Sequence, residues 1–463
     1  MTDAGVARAR IRQWRAARWR RLVVLDDDPT GSQSVHDVQI VTALVDEEIA
    51  SAVHQPGSVT FLLTNSRSLT ADAAVELSRQ VATTLLGLDP LVDIVSRSDS
   101  TLRGHVLAEM AAIEGAYARV AGRGPDGILF APAFFEAGRF TTGDIQYATI
   151  AGEPVPVGRT EFARDATFGY SSSNLRDFVV EQAAGSIALD DVLSISIETT
   201  EAGVDAVRDV LLKAHDGAFI VVNATGYEHY ETVVLGVQAA IDLGRIFLFR
   251  SGPSFVRSLA GIEPRQPLAA GDFPELASSA AHGLVVVGSH VSQTSRQVAA
   301  AQAMGGLVEF ELSVPRILGA ENDYLSTAIA GIRSALLRDD VLVFTSRDFV
   351  AGTDAASSLD IARTVSAAVS DVVAGALGAR PAWVIAKGGI TSHDVAVHGL
   401  GMRRARVRGQ LLPGLISVFE PIVASPDAVG VPYVVFAGNV GDDATLAQVI
   451  STLRAAQKKE NQS

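Results

Sequence analysis

The stretch Val23-Val24-Leu25-Asp26-Asp27-Asp28-Pro29-Thr30-Gly31 decides how the chain is read. A short apolar run has the length of a buried strand, and it stops abruptly at three carboxylates, a proline and a glycine. In a parallel sheet such a junction lies at the C-terminal edge, where open α/β sheets bind their ligands. Three adjacent carboxylates repel one another, so they call for a cation, a polyhydroxylated ligand or a raised pKa on one member. The plain alternative is a solvated acidic turn, which three aspartates at a strand end make locally unfavourable.

Outward from this junction the rhythm repeats. Leu22–Leu25, Val59–Leu63, Leu91–Val95 and Gly127–Phe130 are strand-length apolar runs, separated by helical spacing over Ala71–Leu86 and Leu102–Val120. Thr70 and Ser100 or Thr101 are the expected helix caps. This βαβ alternation predicts an α/β fold with mainly parallel sheets and helices on both faces. From Gly143 to Tyr170 glycine and proline break the pattern, which predicts an inserted hairpin and extended loops. Strand signals resume at Phe219–Val222 and Ile246–Phe249, and Gly261–Pro274 is aperiodic. A second α/β series follows through Leu284–Val287, Leu307–Leu312, Val341–Thr345, Trp383–Ala386, Ile416–Phe419 and Val434–Ala437. The expected organisation is a basic arm over 1–20, an α/β domain over 21–265 and a second over 280–457. Two three-layer domains with a cleft between them are expected.

Composition narrows the function. Lys plus Arg number 38 against 52 Asp plus Glu, a net charge of −14, with a sequence pI near 5.1. That balance argues against a nucleic-acid partner, which requires clustered positive charge. No run reaches about 18 uninterrupted apolar residues, so no membrane span is expected. Cysteine is absent, which removes thiol chemistry and suits a reducing cytoplasm. Seven arginines fall in the first 21 residues, as in a mitochondrial presequence. The simpler expectation is a helix that packs Ile11, Trp14 and Trp19 on the body.

Further junctions repeat the strand-then-polar arrangement. Arg97-Ser98-Asp99-Ser100-Thr101-Leu102-Arg103-Gly104-His105 offers hydroxyls for an anionic ligand and, in Arg103, a two-pronged carboxylate grip. Ala131–Arg139 follows a third strand, and in one parallel sheet all three junctions converge on one edge. In the second series Gly288-Ser289-His290, Lys387-Gly388-Gly389-Ile390-Thr391 and Gly438-Asn439-Val440-Gly441 each follow a strand. Glycine lets backbone N–H groups approach phosphate oxygens closely, so three such ends suit a mononucleotide. Neither the Walker A spacing nor the dinucleotide spacing is present.

Together these residues resemble the four-carbon acid sugar kinase family, which includes the D-threonate, D-erythronate and 3-oxo-tetronate kinases. Its Asp-Asp-x-Thr-Gly motif matches Asp27, Asp28, Thr30 and Gly31, and its Asp-Ser-Thr-Leu-Arg-Gly motif matches Asp99 to Gly104. Gly138-Arg139 and the run Glu161, Phe162 and Asp165 match further elements, as do Gly288-Ser289, Gly388 to Thr391 and Gly438 to Gly441. The resemblance spans nearly the whole chain after residue 20. It differs over Ser32–Asp37, at Arg97 in place of lysine and at Ile390 in place of an acid, so the particular acid stays open. The resemblance implies ATP-dependent phosphorylation of a four-carbon sugar acid, with magnesium carried by the nucleotide phosphates and no protein metal site. It assigns Asp27 or Asp28 to hydroxyl orientation and base work, and Asp99, Ser100, Thr101, Arg103, Gly138 and Arg139 to the sugar acid. Ser289, Thr294, Gly388, Gly389, Ile390, Thr391, Gly438, Asn439 and Gly441 fall to ATP, with Lys387 either a phosphate contact or a surface residue. The partners expected are the sugar acid and ATP, and a homodimer is compatible.

Two rival readings compete. Asp26-x-Asp28-x-Thr30 also matches the nucleophile motif of haloacid dehalogenase-like magnesium-dependent phosphatases, with Asp26 as nucleophile and Thr64, Lys387 and Gly441-Asp442-Asp443 as the remaining parts. That reading leaves Asp99–Arg103, Gly138-Arg139 and the Gly288 loop without a role. A two-lobed small-molecule binding protein leaves the triple aspartate unexplained. His290, His393 and His398 lack supporting acids at ligand spacing and read as core or solvated residues.

Overall fold

The computed structural model describes residues 4–28, 31–32, 34–55, 57–277, 279–289, 291–346, 355–438 and 440–457. The chain divides into two compact units, Met1–Pro264 and Arg265–Ser463.

The first unit has strands β1 (Leu22–Asp26), β2 (Gln39–Val41), β3 (Val59–Leu63), β4 (Asp93–Arg97), β5 (Gly127–Ala131), β6 (Arg139–Thr142), β7 (Ile145–Ile150), β8 (Glu153–Pro156), β9 (Leu193–Ile195), β10 (Ala218–Val222) and β11 (Phe247–Ser251). Eight of them form a parallel array in the order β2-β3-β1-β4-β11-β5-β10-β9. β1 is buried along its whole length, as its apolar run requires. Val23 and Leu25 join a core with Leu62, Ile94, Val81, Leu85, Met110 and Ile113. Each such side chain contributes about 1.5–3 kcal/mol by leaving water. The strand order reverses at β1, which has β3 on one side and β4 on the other. A crevice above the strand ends forms at such a switch point.

Three local expectations change. The helix expected from Leu102 spans Val106–Ala121, because Leu102 (φ 70°) and Gly104 (φ 122°) hold the chain in the left-handed region that no α-helix continues. Neither Ser100 nor Thr101 caps it, whereas Thr70 does accept from the Ala73 N–H of the helix Ala71–Leu88, at 3.4 Å. The inserted hairpin is a three-stranded antiparallel sheet, β6-β7-β8, that begins at Arg139 rather than after Gly143.

The arginine-rich start is a helix, Ala4–Ala17, packed on the helices Tyr227–Asp242 and Pro253–Ala260. Ile11 is fully buried, Trp14 donates to Asp242 at 3.0 Å, and Arg8 pairs with Glu231 at 2.9 Å and with Glu263. Trp19 does not pack as expected: it lies past the helix at φ 58° and is 66% exposed.

The second unit has β12 (Leu284–Val287), β13 (Leu307–Leu312), β14 (Asp340–Thr345), β15 (Val384–Lys387), β16 (Arg404–Leu412), β17 (Ile416–Val423) and β18 (Tyr433–Phe436). The order is β13-β14-β12-β15-β18-β17-β16, parallel as far as β18 and antiparallel for the last two pairs. β16 escaped the sequence reading because arginines alternate with its buried Ala405 and Val407. By length and composition Asp360–Ala379 could cross a bilayer, which the count of uninterrupted apolar residues had passed over. Here it packs Ala368, Val369, Val372, Val373 and Ala376 into the unit's interior.

Ile11→Ala should cost the first unit about 2–4 kcal/mol and Trp19→Ala about 0.5 kcal/mol or less, read by chemical denaturation. Equal effects would show that the N-terminal helix is not part of the folded unit.

Candidate functional site

β1 ends at Asp26, which is in register with Leu63 of β3 and Arg97 of β4. Parallel pairing thus delivers a guanidinium beside a carboxylate, and Arg97 Nη1 donates to Asp26 Oδ1 at 2.9 Å. The Gly31 backbone presses on the same carboxylate, since a Cβ there would meet its oxygens. Asp26 is fully buried, and burial, with the Asp28 charge adding to it, pushes its pKa up to about 6 against the pull of Arg97. Asp28 pairs with Arg67, from the turn Ser66–Ser68 after β3.

Asp27 differs from both neighbours. It is 3% exposed, neither carboxylate oxygen has a hydrogen-bond partner, and Arg97 Nη1 comes only to 3.9 Å. Burial pushes its pKa up to about 7, opposed by the charges of Arg67, Arg97 and Arg250. A buried carboxylate titrating there has the basicity a general base needs near neutral pH. Among the described residues, unpartnered buried polar atoms gather at this edge: Asp26 Oδ2, both Asp27 oxygens, Ser32 Oγ, Arg97 Nε, Arg250 Nε and Nη2, and Ser251 Oγ. Buried polar groups are normally satisfied, so this concentration marks where a ligand or water belongs.

The loop after β4 supplies the second half. Arg103 Nε donates to Asp99 at 2.6 Å and its Nη1 lies 3.6 Å from Asp165. Burial works against the Asp99 charge, but Arg67 and Arg103, with the Thr101 hydroxyl, hold its pKa down at about 2. Arg139 Nη1 donates to Ser100 Oγ at 2.7 Å, and no carboxylate among the described residues lies within ion-pair distance of it. Phe162 stands beside both guanidinium groups, 5.2 Å from Arg103 and 5.5 Å from Arg139. Arg103 is thus engaged by two acids, whereas Arg139 makes no ion pair among the described residues. Gly138 (φ 65°) makes the left-handed turn that starts β6 and so presents Arg139.

In the second unit β12, β15 and β18 are adjacent, so the three glycine-bearing ends are neighbours. A Cβ on Gly388 (φ 123°) would stand 2.9 Å from Thr391 Oγ1, and one on Gly438 would stand 2.8 Å from Ser289 Oγ. A Cβ on Gly288 would also run into Thr391 Oγ1. Gly389 is open on the side a Cβ would take, and Ile390 is 72% exposed. Thr294 is buried, donates to the Gly438 carbonyl at 2.9 Å and lies 3.2 Å from Ser289 Oγ, so it braces two loops. Gly441 (φ 81°) abuts Thr445, and Gln297 donates to the carbonyls of Val440 and Asp442 at 2.9 and 2.7 Å. Lys387 is not a surface residue: it is fully buried, with Nζ 3.1 Å from Ala437 O, 3.3 Å from Gly438 O and 3.8 Å from the Phe436 ring centre. Burial lowers its pKa to about 7.

Asp27, Asp28, Asp99, Ser100, Thr101, Arg103, Gly138 and Arg139 thus meet in the first unit, and Ser289, Thr294, Gly388, Gly389, Thr391, Gly438 and Gly441 in the second. Thr30, His290 and Asn439 lie outside the described residues. Among the described residues no group of three or more His, Asp or Glu side chains is placed to hold a metal ion. Arg67, Arg250 and Glu109 were missed. Each ends or follows a strand, or lies one turn into a helix after one, which is the signal that could have flagged them.

A parallel sheet with buried acids at its switch point, and a second α/β unit with three adjacent glycine loops, define a two-domain sugar- and nucleotide-binding protein. Residues 22–259 match the family model described as a sugar-binding N-terminal domain, and residues 284–446 match that of a nucleotide-binding C-terminal domain. The chain belongs to this two-domain family, which at family level is the four-carbon acid sugar kinase family. A Haemophilus influenzae protein of the family DUF1537 is similar in fold, with a TM-score of 0.65 and 17% identity over 92% of this chain and 99% of that one. A Salmonella typhimurium LT2 protein, provisionally called a tRNA synthase, gives a TM-score of 0.69 and 17% identity over 93% and 98%. At that identity the likeness speaks for the fold alone. Among curated protein sequences no match is found.

The folded Asp27 carboxyl titrates near 7 against an ordinary value of 3.8, so the native state holds the extra proton between those values. The associated stability is fully present below about pH 4 and is lost as pH rises through 7. Asp27→Asn should therefore stabilise the protein by about 1–3 kcal/mol at pH 8.5 and by little at pH 5, followed by thermal denaturation. A gain that does not change with pH would remove the assignment.

Proposed function

We propose that the protein is an ATP-dependent kinase that phosphorylates a hydroxyl of a small four-carbon sugar acid of the threonate, erythronate or 3-oxo-tetronate type. The observation that carries this reading is Asp27, a buried carboxylate with both oxygens unpartnered and a pKa near 7, in the sugar-binding unit. The substrate hydroxyl oxygen attacks the γ-phosphorus, its proton passes to Asp27, and the bond to ADP breaks. Asp28, held by Arg67, orients a second hydroxyl. Arg139 anchors the substrate carboxylate, and Ser100 and Thr101 line its approach.

Glycines 288, 388 and 438 let the three loops pack closely, since a Cβ on each would meet Thr391 or Ser289, and Gly389 is open on the side a Cβ would take, which suits a nucleotide at these loops. Backbone N–H groups of Gly388–Thr391 and the Ser289 hydroxyl receive the phosphates, and magnesium arrives with the nucleotide to neutralise their charge. Lys387, beneath these loops, holds the Ala437 and Gly438 carbonyls and thereby the loop after β18. A sequence without cysteine supports a cytoplasmic setting.

The phosphatase reading fares worse on the surroundings of Asp26. A nucleophile must reach phosphorus, and this carboxylate is enclosed by Arg97 and Gly31.

A coupled ADP-release assay across four-carbon sugar acids should find one that stimulates turnover. Hydrolysis of aryl phosphates without ATP, abolished by Asp26→Asn, would favour the phosphatase instead. Arg139→Ala should raise KM for the acid about 10- to 100-fold and leave KM for ATP nearly unchanged; equal effects on both would remove the anchor role.

Gly388→Ala should abolish the thermal shift given by Mg-ADP without changing the shift given by the acid. A retained Mg-ADP shift would place the nucleotide elsewhere.

A further inference from the structure

Glu109 lies on the helix Val106–Ala121, is 3% exposed and has no part in the chemistry above. Its Oε1 accepts from Ser66 Oγ at 2.5 Å, and its Oε2 accepts from Arg250 Nη1 at 2.5 Å and from Ser96 Oγ at 3.3 Å. Arg250 Nη1 also donates to Ser96 Oγ at 2.6 Å. One carboxylate thus ties the turn after β3, the end of β4 and the end of β11.

Each tied residue governs one cation near Asp27. Ser66 precedes Arg67, Ser96 precedes Arg97, and Arg250 is itself the third. Successive residues of a strand point to opposite faces, so pinning Ser96 towards the helix fixes the side on which Arg97 emerges. Arg250 is held by Nη1 alone, and its Nε and Nη2 have no partner. Nη2 lies 3.1 Å, and Asp27 Oδ2 3.3 Å, from the point a Cβ on Gly104 would occupy. Arg250 and Asp27 therefore border one gap, which the absent side chain of Gly104 leaves open, and they form no ion pair across it.

We propose that Glu109 is a positioning residue that holds the three guanidinium groups around Asp27 in place and keeps Arg250 from closing on it. The inference rests on the reading of Asp27 as the base. Without the Glu109 charge, Arg250 is a buried cation with no counter-ion, and the nearest unpartnered carboxylate is Asp27. An ion pair between them would keep Asp27 ionised to lower pH and remove it from the substrate. The other charged groups acting on Asp27 are Arg67 and Arg97, which stay in place in the test, and Glu109 itself, whose negative charge raises the Asp27 pKa directly.

Glu109→Gln keeps the shape and the acceptor for the serines and removes only the charge. The Asp27 titration midpoint is read as the pH dependence of the melting-temperature difference between each protein and its own Asp27→Asn counterpart. That midpoint should fall from about 7 by about one pH unit or more. KM for the acid should rise about tenfold, with KM for ATP within about twofold. Because loss of the Glu109 charge by itself lowers the midpoint, the KM decides: a folded Glu109→Gln protein whose KM for the acid equals that of the parent overturns the proposal, whether or not the midpoint has moved. Should Glu109→Gln fail to fold, the pair Ser66→Ala and Ser96→Ala removes two of the three tethers. It should move both readouts the same way, with KM for the acid up about threefold, and no movement overturns the proposal equally. If no acid stimulates ADP release, the kinase reading falls, and the midpoint of the Ser66→Ala, Ser96→Ala protein, which keeps the Glu109 charge, still tests the tethers.

Discussion

A carboxylate at the end of a strand buried on both faces costs several kcal/mol to ionise unless a cation or hydrogen-bond donors meet it. The first unit carries three in succession, and most of its site follows from how they are met. Asp26 takes Arg97 across the parallel ladder, Asp28 takes Arg67, and Asp99, one loop away, takes Arg103 and the Thr101 hydroxyl. Asp27 accepts no hydrogen bond, and Arg97 approaches it only to 3.9 Å. The same burial that makes its charge costly pushes its pKa up to about 7.

The second unit solves the opposite problem, the approach of a ligand with many anionic oxygens. Glycines at three adjacent strand ends remove side chains where the backbone must come close, and Gly388 adopts a φ that disfavours other residues. The loops are held together by buried side chains. Thr294 and Gln297 grip carbonyls of the loop after β18, and Lys387 grips two more from beneath. A lysine in that position stabilises a loop, and the bare sequence Lys-Gly-Gly does not distinguish this role from direct phosphate contact.

Legibility followed the range of the interaction. Strands such as Leu22–Asp26 and Leu284–Val287 were readable because a strand buried on both faces must be apolar throughout. β16 was not, because Arg404, Arg406 and Arg408 alternate with its buried residues. The helix start was misplaced by four residues, since the positive φ of Leu102 is set by the loop that carries Arg103 and leaves no mark in composition. Asp27, Asp28 and Asp99 were legible as candidates because each stands within two residues of a strand end, and Arg139 because it lies in the polar stretch that follows β5. Arg67, Arg250 and Glu109 were not, because each matters through partners far off in sequence: Arg67 and Asp28 are 39 residues apart, Ser66 and Glu109 43, and Glu109 and Arg250 141.

By itself the sequence determined that this is an α/β protein of two units, with acids at one sheet edge and glycine turns at another. Those features arise from local patterning and from the residue types that strand ends allow. Only the tertiary structure decided which charges cancel. Arg103 and Arg139 read alike in sequence, yet Asp99 and Asp165 engage the first and leave the second available. Three consecutive aspartates likewise become two acids paired with arginines and one whose oxygens accept no hydrogen bond. Pairing depends on distances of 3–4 Å between residues brought together by strand register, and register is a property of the folded sheet.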